Sequence, residues 1–406
     1  MYETLGILAV FAFVYSVVAG RLDRTPVNGP VVYLAFGVIA GPIGLGLLDL
    51  SIGSEGIRTV AELTLALVLF TGAANADLAI LRRTFHLPER MLLIGLPLTI
   101  LLGLGAAALL FPGLGFFELA LLATILAPTD AALGKAVVAN QAVPQTIREG
   151  LNLESGLNDG ICVPILFTFL ALATHSTGDG STGALALRLV AEEIGIGLAI
   201  GAGVTALGAR CLQVAARRGW IVAPWIRIPI VALAFACFGL TQFAGGSGFI
   251  ACFVGGLTFR ALASEQRQAA LEGAEGMGEL FSLVIWVFFG AAVVMQHPGT
   301  PDWRVVLYAV LSLTVVRMLP VFVCVSGLGL RTDAKLFLGW FGPRGLASIV
   351  FVVIVADAKL PGGDTLIATT VATVVLSIVA HGLTANPLAA RFGAREKRQP
   401  AVSPGG

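Results

Sequence analysis

The chain has 406 residues, of which 57% are hydrophobic and 12% charged, with a mean hydropathy of +0.92 and a formal net charge of +1. This composition excludes an ordinary water-soluble domain, and a charge so close to zero gives no reason to expect a nucleic-acid partner. Apolar runs long enough to cross a bilayer recur along the whole chain, so the sequence predicts an all-α polytopic membrane protein embedded in the lipid bilayer.

About thirteen membrane-spanning helices are predicted from the lengths of the apolar runs. They lie near 4–20, 29–48, 57–76, 91–111, 116–139, 147–172, 185–210, 226–243, 247–263, 278–296, 304–328, 336–356 and 364–386. The first run has no basic segment before it and no convincing cleavage site, which favours a retained span over a signal peptide. The five cysteines are scattered without metal-ligand spacing, and no cofactor is expected.

Basic residues follow the odd-numbered predicted spans, whereas the loops after the even-numbered spans are acidic or neutral. The basic residues are Arg21, Arg24, Arg82, Arg83, Arg90, Lys135, Arg148, Arg217, Arg218, Arg260, Arg267, Arg331, Lys335, Arg391, Arg395, Lys397 and Arg398. Because positively charged loops stay in the cytoplasm, this pattern predicts an N-terminus outside the cell membrane and a cytoplasmic C-terminus.

An odd number of spans permits two inverted six-helix repeats joined by one extra helix. The fifth predicted span is interrupted at Ala127-Pro-Thr-Asp130, and its counterpart, the twelfth, at Phe341-Gly-Pro-Arg-Gly345. Proline removes a backbone N–H, and the freed carbonyls are tolerated at membrane depth only inside protein or beside a cavity. Discontinuous fifth and twelfth helices point to the substrate site of a secondary transporter, although two unrelated proline kinks would give the same pattern.

Two carboxylates, Glu154 and Asp159, enter the apolar run of the sixth span. Each costs about 3 kcal/mol on insertion scales, so such residues mark ion or proton pathways. On a helix, Ser155 and Asp159 share one face, and Glu154 and Asn158 share another. The first face offers a carboxylate and a hydroxyl oxygen to a cation, and the second offers a carboxylate to a neighbouring helix.

Thr129 and Asp130 add a hydroxyl and a second carboxylate at the break of the fifth span. Together with Ser155, Asn158 and Asp159 they form an oxygen-rich set without histidine or cysteine, which is typical of a site for a hard cation. Asp130 could instead cap the helix that follows the break, since aspartate is a good N-cap residue.

Two arginines, Arg317 and Arg344, lie inside the eleventh and twelfth spans. Buried charges are normally paired, so we assign Arg317 to Glu154 as a structural ion pair. Arg344 is expected to offset helix-end dipoles and carboxylates where the broken helices cross. Asp130 and Asp159 are then the least compensated carboxylates, and desolvation favours their neutral form, which would let them exchange a proton for a cation.

These residues carry a resemblance to a known family. Glu154-Ser-Gly-Leu-Asn-Asp-Gly160 resembles the Asn-Asp motif of NhaP-like monovalent cation:proton antiporters, the electroneutral sodium/proton exchanger branch. Ala127-Pro-Thr-Asp130 is similar to the Thr-Asp motif on the unwound fifth helix of that family, and Gly342-Pro-Arg-Gly345 to its Gly-x-Arg-Gly motif. Arg317 is similar to its other membrane-embedded arginine. The resemblance covers nearly the whole chain.

The resemblance implies a role for each residue. Asp159 would bind the cation (Na⁺) and the proton, and Asp130, Thr129 and Ser155 would help to coordinate Na⁺. Asn158, in place of a second acid, goes with one-for-one exchange. Family members are homodimers in which a core moves like an elevator against a dimerisation part. Residues 1–390 would then form one transporter domain, with a core of 91–172 plus 304–388, a dimerisation and scaffold part of 4–76 plus 185–296, and a cytoplasmic tail of 391–406.

Two departures from the family pattern are visible. Thr71 stands where many relatives carry an acid, and Gly156 replaces a bulkier apolar residue. The leading hypothesis is an antiporter, not an enzyme, that exchanges Na⁺ or Li⁺ for H⁺. A K⁺/H⁺ antiporter is the alternative, because carboxylates do not reveal ion size. A gated channel would repeat a pore loop, which is not seen in the sequence, and an intramembrane aspartyl hydrolase built on Asp130 and Asp159 would need two aspartates that share a proton.

Overall fold

The computed structural model describes residues 2–22, 25, 28–42, 44–48, 55–76, 87–130, 133, 135–138, 140–175, 180–222, 225–262, 267–293 and 302–397. Within these residues all regular structure is helical. Arg24, Arg82, Arg83 and Arg398, which contribute to the predicted orientation, lie outside the described residues, as do residues 398–406 of the predicted tail.

The helices follow one another along the chain with short connections. We label them α1 (Tyr2–Leu22), α2 (Gly29–Ala40), α3 (Glu55–Asn75), α4 (Leu87–Leu110, with a π-helical turn at Met91–Gly95), α5 (Phe116–Ile125), α6 (Lys135–Val138), α7 (Gln145–His175), α8 (Gly180–Arg217), α9 (Pro229–Phe243, after a 3₁₀ turn at Trp225–Arg227), α10 (Gly248–Leu262), α11 (Arg267–Phe288, continued by a π-helical turn at Phe289–Val293), α12 (Trp303–Leu313), α13 (Val315–Cys324), α14 (Thr332–Trp340), α15 (Leu346–Asp357) and α16 (Gly363–Lys397).

Eight helices of the described chain are long and apolar enough to cross a membrane, counting α12 and α13 as one. They coincide with the predicted spans one, four, six, seven, eight, ten, eleven and thirteen. The other predicted spans fall on α2, α3, α5 with α6, α10, and α14 with α15. The protein is therefore a multi-pass, all-helical membrane protein.

Several helix ends differ from the predicted boundaries: α8 spans Gly180–Arg217 where 185–210 is predicted, and α11 begins at Arg267 where the span is predicted to begin at 278. Helix α2 stops at Ala40, well before residue 48, because Gly41 and Pro42 follow; the N–H groups of Leu47 and Leu48 turn back to the Ala40 carbonyl at 2.9 and 2.8 Å. Helix α16 runs on to Lys397, so residues 391–397 of the predicted tail are helical. Basic side chains in that last stretch favour helix, since they face the negative end of its dipole.

The helices pack in two groups. In the first group, α8, α9 and α10 pack together against α3, and α11 contacts both α2 and α3. The second group consists of α4, α5, α7 and α12–α16. The groups meet where α7 contacts α3, α8 and α10, and where α15 contacts α3 and α11. Small residues allow close contacts: a Cβ atom at Gly201 of α8 would overlap the backbone of Ala251 of α10. Such close packing stabilises helix bundles in lipid, where burial of apolar surface adds little.

Candidate cation site at the crossing of two interrupted helices

The first interruption follows α5, where residues 126–130 are not helical. Its freed carbonyls bond to residues of the second interrupted helix. Nη1 of Arg344 donates to the carbonyls of Ala127 and Pro128 at 2.7 and 3.1 Å, and Oγ of Ser348 donates to the carbonyl of Ile125 at 2.7 Å. The proline break is therefore satisfied inside protein, as membrane depth requires.

The second interruption, residues 341–345 between α14 and α15, is joined to the first through Asp130. The backbone N–H of Asp130 donates to the Pro343 carbonyl at 2.8 Å, and the N–H of Leu346 donates to Oδ2 of Asp130 at 2.7 Å. A Cβ atom at Gly345 would overlap the Asp130 carboxylate, so only glycine allows this approach. The two interruptions therefore meet at Asp130, in agreement with the interpretation of the two sequence breaks as parts of one site.

Arg344 is fully buried and lies at the C-terminal end of α5. The unsatisfied carbonyls at a helix C-terminus carry partial negative charge, so a cation there is stabilised. This is the position that the sequence predicted for Arg344, with helix-end carbonyls as its hydrogen-bond acceptors.

Glu154 of α7 and Arg317 of α13 are in direct contact. Nη1 and Nη2 of Arg317 donate to Oε1 and Oε2 of Glu154 at 2.5 and 2.7 Å, and each side chain is 3% exposed. Two parallel charge-assisted hydrogen bonds are the strongest geometry available to such a pair. A Cβ atom at Gly342 would overlap the Arg317 guanidinium, so this pair packs directly against the second interruption.

The other predicted site residues of α7 meet the first interruption. Oγ1 of Thr129 lies 2.9 Å from Oγ of Ser155 and accepts a hydrogen bond from Nδ2 of Asn158 at 2.7 Å. Thr129 and Asn158 are 2% and 1% exposed. The Thr129 hydroxyl thus contacts one residue on each of the two polar faces of α7, Ser155 on the face of Asp159 and Asn158 on the face of Glu154.

Asp159 and Asp130 differ in their partners. Oδ1 of Asp159 is buried and has no hydrogen-bond partner among the described residues, and the same holds for Oδ1 of Asn158. Asp130 accepts from two backbone amides, Leu346 at Oδ2 and Leu133 at Oδ1, the latter at 3.3 Å. The expectation that Asp130 is among the least compensated carboxylates is therefore wrong. Asp130 caps the N-terminus of α15, the helix that follows the second interruption. The sequence had suggested a cap for the helix that follows the first interruption.

A cavity of about 670 Å³ reaches this cluster. Asp130, Ser155 and Asp159 line it together with exposed residues of other helices, such as Asn75 and Glu275. Because Asp159 is buried and Asn75 is exposed, the cavity runs from one face of the protein inward to the carboxylates. Thr129 and Asn158 are not among the described residues of its wall.

One helix of this cavity was missed by the sequence analysis. Glu275, Glu279, Ser282 and Trp286 of α11 all line it, at spacings of four, three and four residues that place them on one helix face. That spacing, with two acids at i and i+4, is the signal that could have revealed them. Nδ2 of Asn75 donates to Oε1 of Glu275 at 2.8 Å, which joins α3 to α11 at the cavity mouth.

Thr71 and Gly156, the two departures from the family pattern, also line the cavity. The Thr71 hydroxyl donates to the Leu67 carbonyl of its own helix at 2.8 Å. A Cβ atom at Gly156 would lie 3.3 Å from the carbonyl oxygen of Gly72 on α3. The backbones of α7 and α3 therefore touch beside the carboxylates, which a bulkier residue at 156 would prevent.

Two interrupted helices that cross beside membrane-buried carboxylates, with a cavity leading to them, define the class of secondary ion transporters. Comparison with known proteins agrees. The family model described as "Sodium/hydrogen exchanger, transmembrane" matches residues 7–391. The chain belongs to the sodium/hydrogen exchanger family, a family of Na⁺/H⁺ and K⁺/H⁺ antiporters, which confirms the resemblance seen in its motifs.

Similar proteins carry both cation names. A Na(+)/H(+) antiporter of Schizosaccharomyces pombe is 28% identical over 332 residues, which cover 77% of this chain and 70% of the relative. The K(+)/H(+) antiporter NhaP of Alkalimonas amylolytica is 24% identical over 391 residues, which cover 95% of this chain and 65% of the relative. The chain thus spans about two thirds of the length of these relatives.

The fold matches a solved structure over nearly its full length. The sodium proton antiporter MjNhaP1 of Methanocaldococcus jannaschii superposes with a TM-score of 0.77, covering 98% of this chain and 99% of that one, at 20% sequence identity. At this identity the likeness concerns the fold, and the chemistry must be argued from the residues of this chain.

Proposed function

We propose that the protein exchanges a monovalent cation, Na⁺ or K⁺, for a proton across the cell membrane. The observation that carries the proposal is the buried Oδ1 of Asp159, which has no hydrogen-bond partner in the described chain and belongs to a residue that lines the cavity. A carboxylate removed from water is stable when a proton or a cation neutralises it. Either ligand can do this, and the two exclude each other.

Oxygen atoms surround the position that a cation would occupy. Asp159, Asp130 and Ser155 line the cavity, and Asp130 and Asp159 interact electrostatically. The Thr129 hydroxyl contacts the Ser155 hydroxyl and accepts a hydrogen bond from Asn158. Oδ1 of Asn158 adds a buried carbonyl oxygen. Such ligands suit hard cations.

Exchange would be one-for-one and electroneutral. Asn158 is an amide and cannot release a proton, and both carboxylate oxygens of Asp130 accept hydrogen bonds from backbone amides. Asp159 is then the single carboxylate that changes its ligand in each cycle. Na⁺ and K⁺ remain alternatives, which the names of the similar proteins support equally, and Li⁺ is a smaller ion of the same charge.

Alternating access is part of the proposal, and the position of the cavity supports it. Its mouth contains Asn75 and Glu149, which lie next to loops predicted to be cytoplasmic, so the cavity would open to the cytoplasm. We propose that the core moves like an elevator against the scaffold part to expose the same carboxylates outside, with the N-terminus outside, the C-terminus inside, and the chain assembled as a homodimer.

The geometry opposes an aspartyl hydrolase. A catalytic pair of that kind shares one proton between two aspartates. Here both oxygens of Asp130 accept hydrogen bonds from backbone N–H groups, and both carboxylates belong to a set of oxygen ligands.

The test is a pH-gradient assay in proteoliposomes that contain a pH-sensitive dye. With an acidic lumen, external Na⁺, K⁺ and Li⁺ are added in separate runs. We expect at least one of Na⁺ and K⁺ to drive proton efflux, with no efflux from liposomes that carry Asp159→Asn. Proton movement without an added cation would indicate a channel and contradict the proposal.

Electroneutrality is tested in the same liposomes. A membrane potential imposed with valinomycin and K⁺ should leave the initial rate of Na⁺/H⁺ exchange unchanged in either direction. Because valinomycin carries K⁺, this test applies once K⁺ is shown not to be a substrate. A rate that depends strongly on the potential would contradict one-for-one exchange but leave the antiporter proposal intact.

A further inference from the structure

Helix α16 packs beside the second interruption but contributes no ligand to the proposed cation site. Helix α16 makes hydrogen bonds to Trp340, the last residue of α14, and to Arg344, which lies within the break. Three polar residues of α16 make these contacts: Ser377, His381 and Thr384. Their spacing of four and three residues places them on one helix face.

His381 is the centre of this face. It is 1% exposed, and its Nε2 lies 2.8 Å from the carbonyl oxygen of Trp340, the last residue of α14. A carbonyl can only accept, so a ring with its proton on Nε2 donates to Trp340, and a ring with its proton on Nδ1 donates to the Ser377 carbonyl instead. Nδ1 lies 3.2 Å from Oγ of Ser377 and 2.8 Å from its carbonyl oxygen; in the tautomer with its proton on Nε2, it accepts from the hydroxyl.

Ser377 carries the connection across the break. Its Oγ accepts from the backbone N–H of Arg344 at 2.7 Å and is fully buried. With the proton on Nε2, one chain of hydrogen bonds runs from Arg344 N–H through Ser377 and His381 to the Trp340 carbonyl. It joins Trp340, the last residue of α14, to Arg344 within the non-helical segment 341–345.

The side chain of Trp340 strengthens the same contact. Its ring lies 5.1 Å from the His381 ring, centroid to centroid, and its Nε1 donates to Oγ1 of Thr384 at 3.0 Å. The end of α14 is thus fixed in both position and rotation by one face of α16.

We propose that His381, acting with Ser377, is a positioning residue for transport, an inference that rests on the proposed function. It sets the separation between Trp340 and Arg344, and thereby the place where Arg344 meets the Ala127 and Pro128 carbonyls. The same segment carries Pro343 and Leu346, which bond to Asp130. His381 therefore acts on the cation ligands through the break without touching the cation.

The test compares buried substitutions on one helix. Ser377→Ala removes one link, and His381→Leu removes both bonds of the ring, whereas His381→Gln keeps an N–H for the Trp340 carbonyl. Thr373→Val is the matched control, because the Thr373 hydroxyl is equally buried and donates only to the Thr369 carbonyl of its own helix, at 2.7 Å. Exchange is measured in proteoliposomes against the concentration of the cation that drives the wild type, with protein amounts normalised.

We expect Ser377→Ala and His381→Leu to raise the apparent KM for the cation about fivefold, the size of one neutral hydrogen bond. His381→Gln should show a smaller increase, and Thr373→Val should match the wild type. A purely structural role would lower the yield of folded protein and leave KM unchanged. If His381→Leu does not fold, the apparent KM of Ser377→Ala is compared with that of Thr373→Val, and this comparison decides whether the inference holds.

Two negative results are distinguishable. If the wild type exchanges cations and KM stays within about twofold in both variants, less than one neutral hydrogen bond would cause, this inference is overturned and the proposed function stands. If the wild type exchanges neither Na⁺ nor K⁺, the proposed function and this inference both fail.

Discussion

Nη1 and Nη2 of Arg317 donate to Oε1 and Oε2 of Glu154, respectively, at 2.5 and 2.7 Å, in a pair whose side chains are each 3% exposed. The partners are 163 residues apart in the chain and join α7 to α13. Asp159 lies five residues further along α7, so the pair holds the helix that carries the proposed binding carboxylate.

Removal of either partner should destabilise the protein strongly. Glu154→Ala or Arg317→Ala leaves one buried charge unpaired, which costs about 3–5 kcal/mol. The double variant leaves none, so it should recover much of the loss, with a coupling energy of about 1 kcal/mol or more. Thermal unfolding in detergent measures the cycle. Arg188→Ala is the control, because Arg188 and Glu192 form an exposed pair of about 0.5 kcal/mol or less. Simple additivity of the two single effects would show that the pair is not coupled.

Asp159→Asn should abolish exchange and leave the protein folded. Asparagine keeps the size and one carbonyl oxygen, but it can neither release a proton nor neutralise a cation. Proteoliposome exchange together with size-exclusion chromatography in detergent measures both properties. Asp364→Asn, at the exposed start of α16, is the control and should exchange like the wild type. Wild-type exchange by Asp159→Asn would show that another group binds the cation.

The glutamates of α11 should concentrate cations at the cavity. One unit charge about 10 Å away contributes about 0.4 kcal/mol in water, or about twofold in local concentration. Glu275→Gln and Glu279→Gln should therefore each raise the apparent KM about twofold at low ionic strength. The effect should disappear at high ionic strength, where screening acts within a few ångströms.

Glu272→Gln supplies the matched control for these glutamates. Glu272 is an exposed residue of α11 that is not among the described residues lining the cavity, so its change should leave KM unaltered. Equal effects of all three substitutions would indicate a general surface-charge effect and contradict a role for the cavity mouth.

Alternating access should break a contact on the face opposite the cavity mouth. Arg58 bonds to Glu62 of its own helix at 2.7 Å and to Asp357 at the end of α15. Asn75, at the other end of α3, lies about 25 Å away along the helix axis and lines the cavity mouth. The Arg58–Asp357 pair joins α3 of the proposed scaffold part to α15 of the proposed core, so movement of the core against the scaffold should separate the two residues.

A reversible cross-link tests this separation. Arg58→Cys with Asp357→Cys, in a Cys211→Ser background that removes the exposed native cysteine, should lose exchange when treated with a short bis-methanethiosulfonate. A reducing agent should restore it. Arg188→Cys with Glu192→Cys joins two positions of α8 and should stay active throughout. Full exchange by the cross-linked first pair would show that this contact does not open.

Much of the site could be predicted from local sequence. Prolines at 128 and 343 lie at the two interruptions, where each removes a backbone N–H, although Pro164, Pro320 and Pro387 lie inside helices, so a proline alone does not fix a break. Glu154 and Arg317 could be matched because two opposite charges in apolar spans each need a partner. Apolar run lengths placed the helices, but several helix ends were misjudged, such as the end of α2 at Ala40 and the start of α11 at Arg267.

Other features depended on the tertiary structure. Asp130 is compensated by the backbone N–H of Leu346, 216 residues away in the chain. Because every residue except proline has a backbone N–H, no side chain in the sequence indicates this partner. The acidic face of α11 joins the cavity only because α11 packs against α3, which a helical spacing alone does not specify. The sequence by itself determined which groups must find partners in the membrane, since that is a matter of desolvation. The packing of distant helices decided which partners they found, since that depends on contacts between residues far apart in the chain.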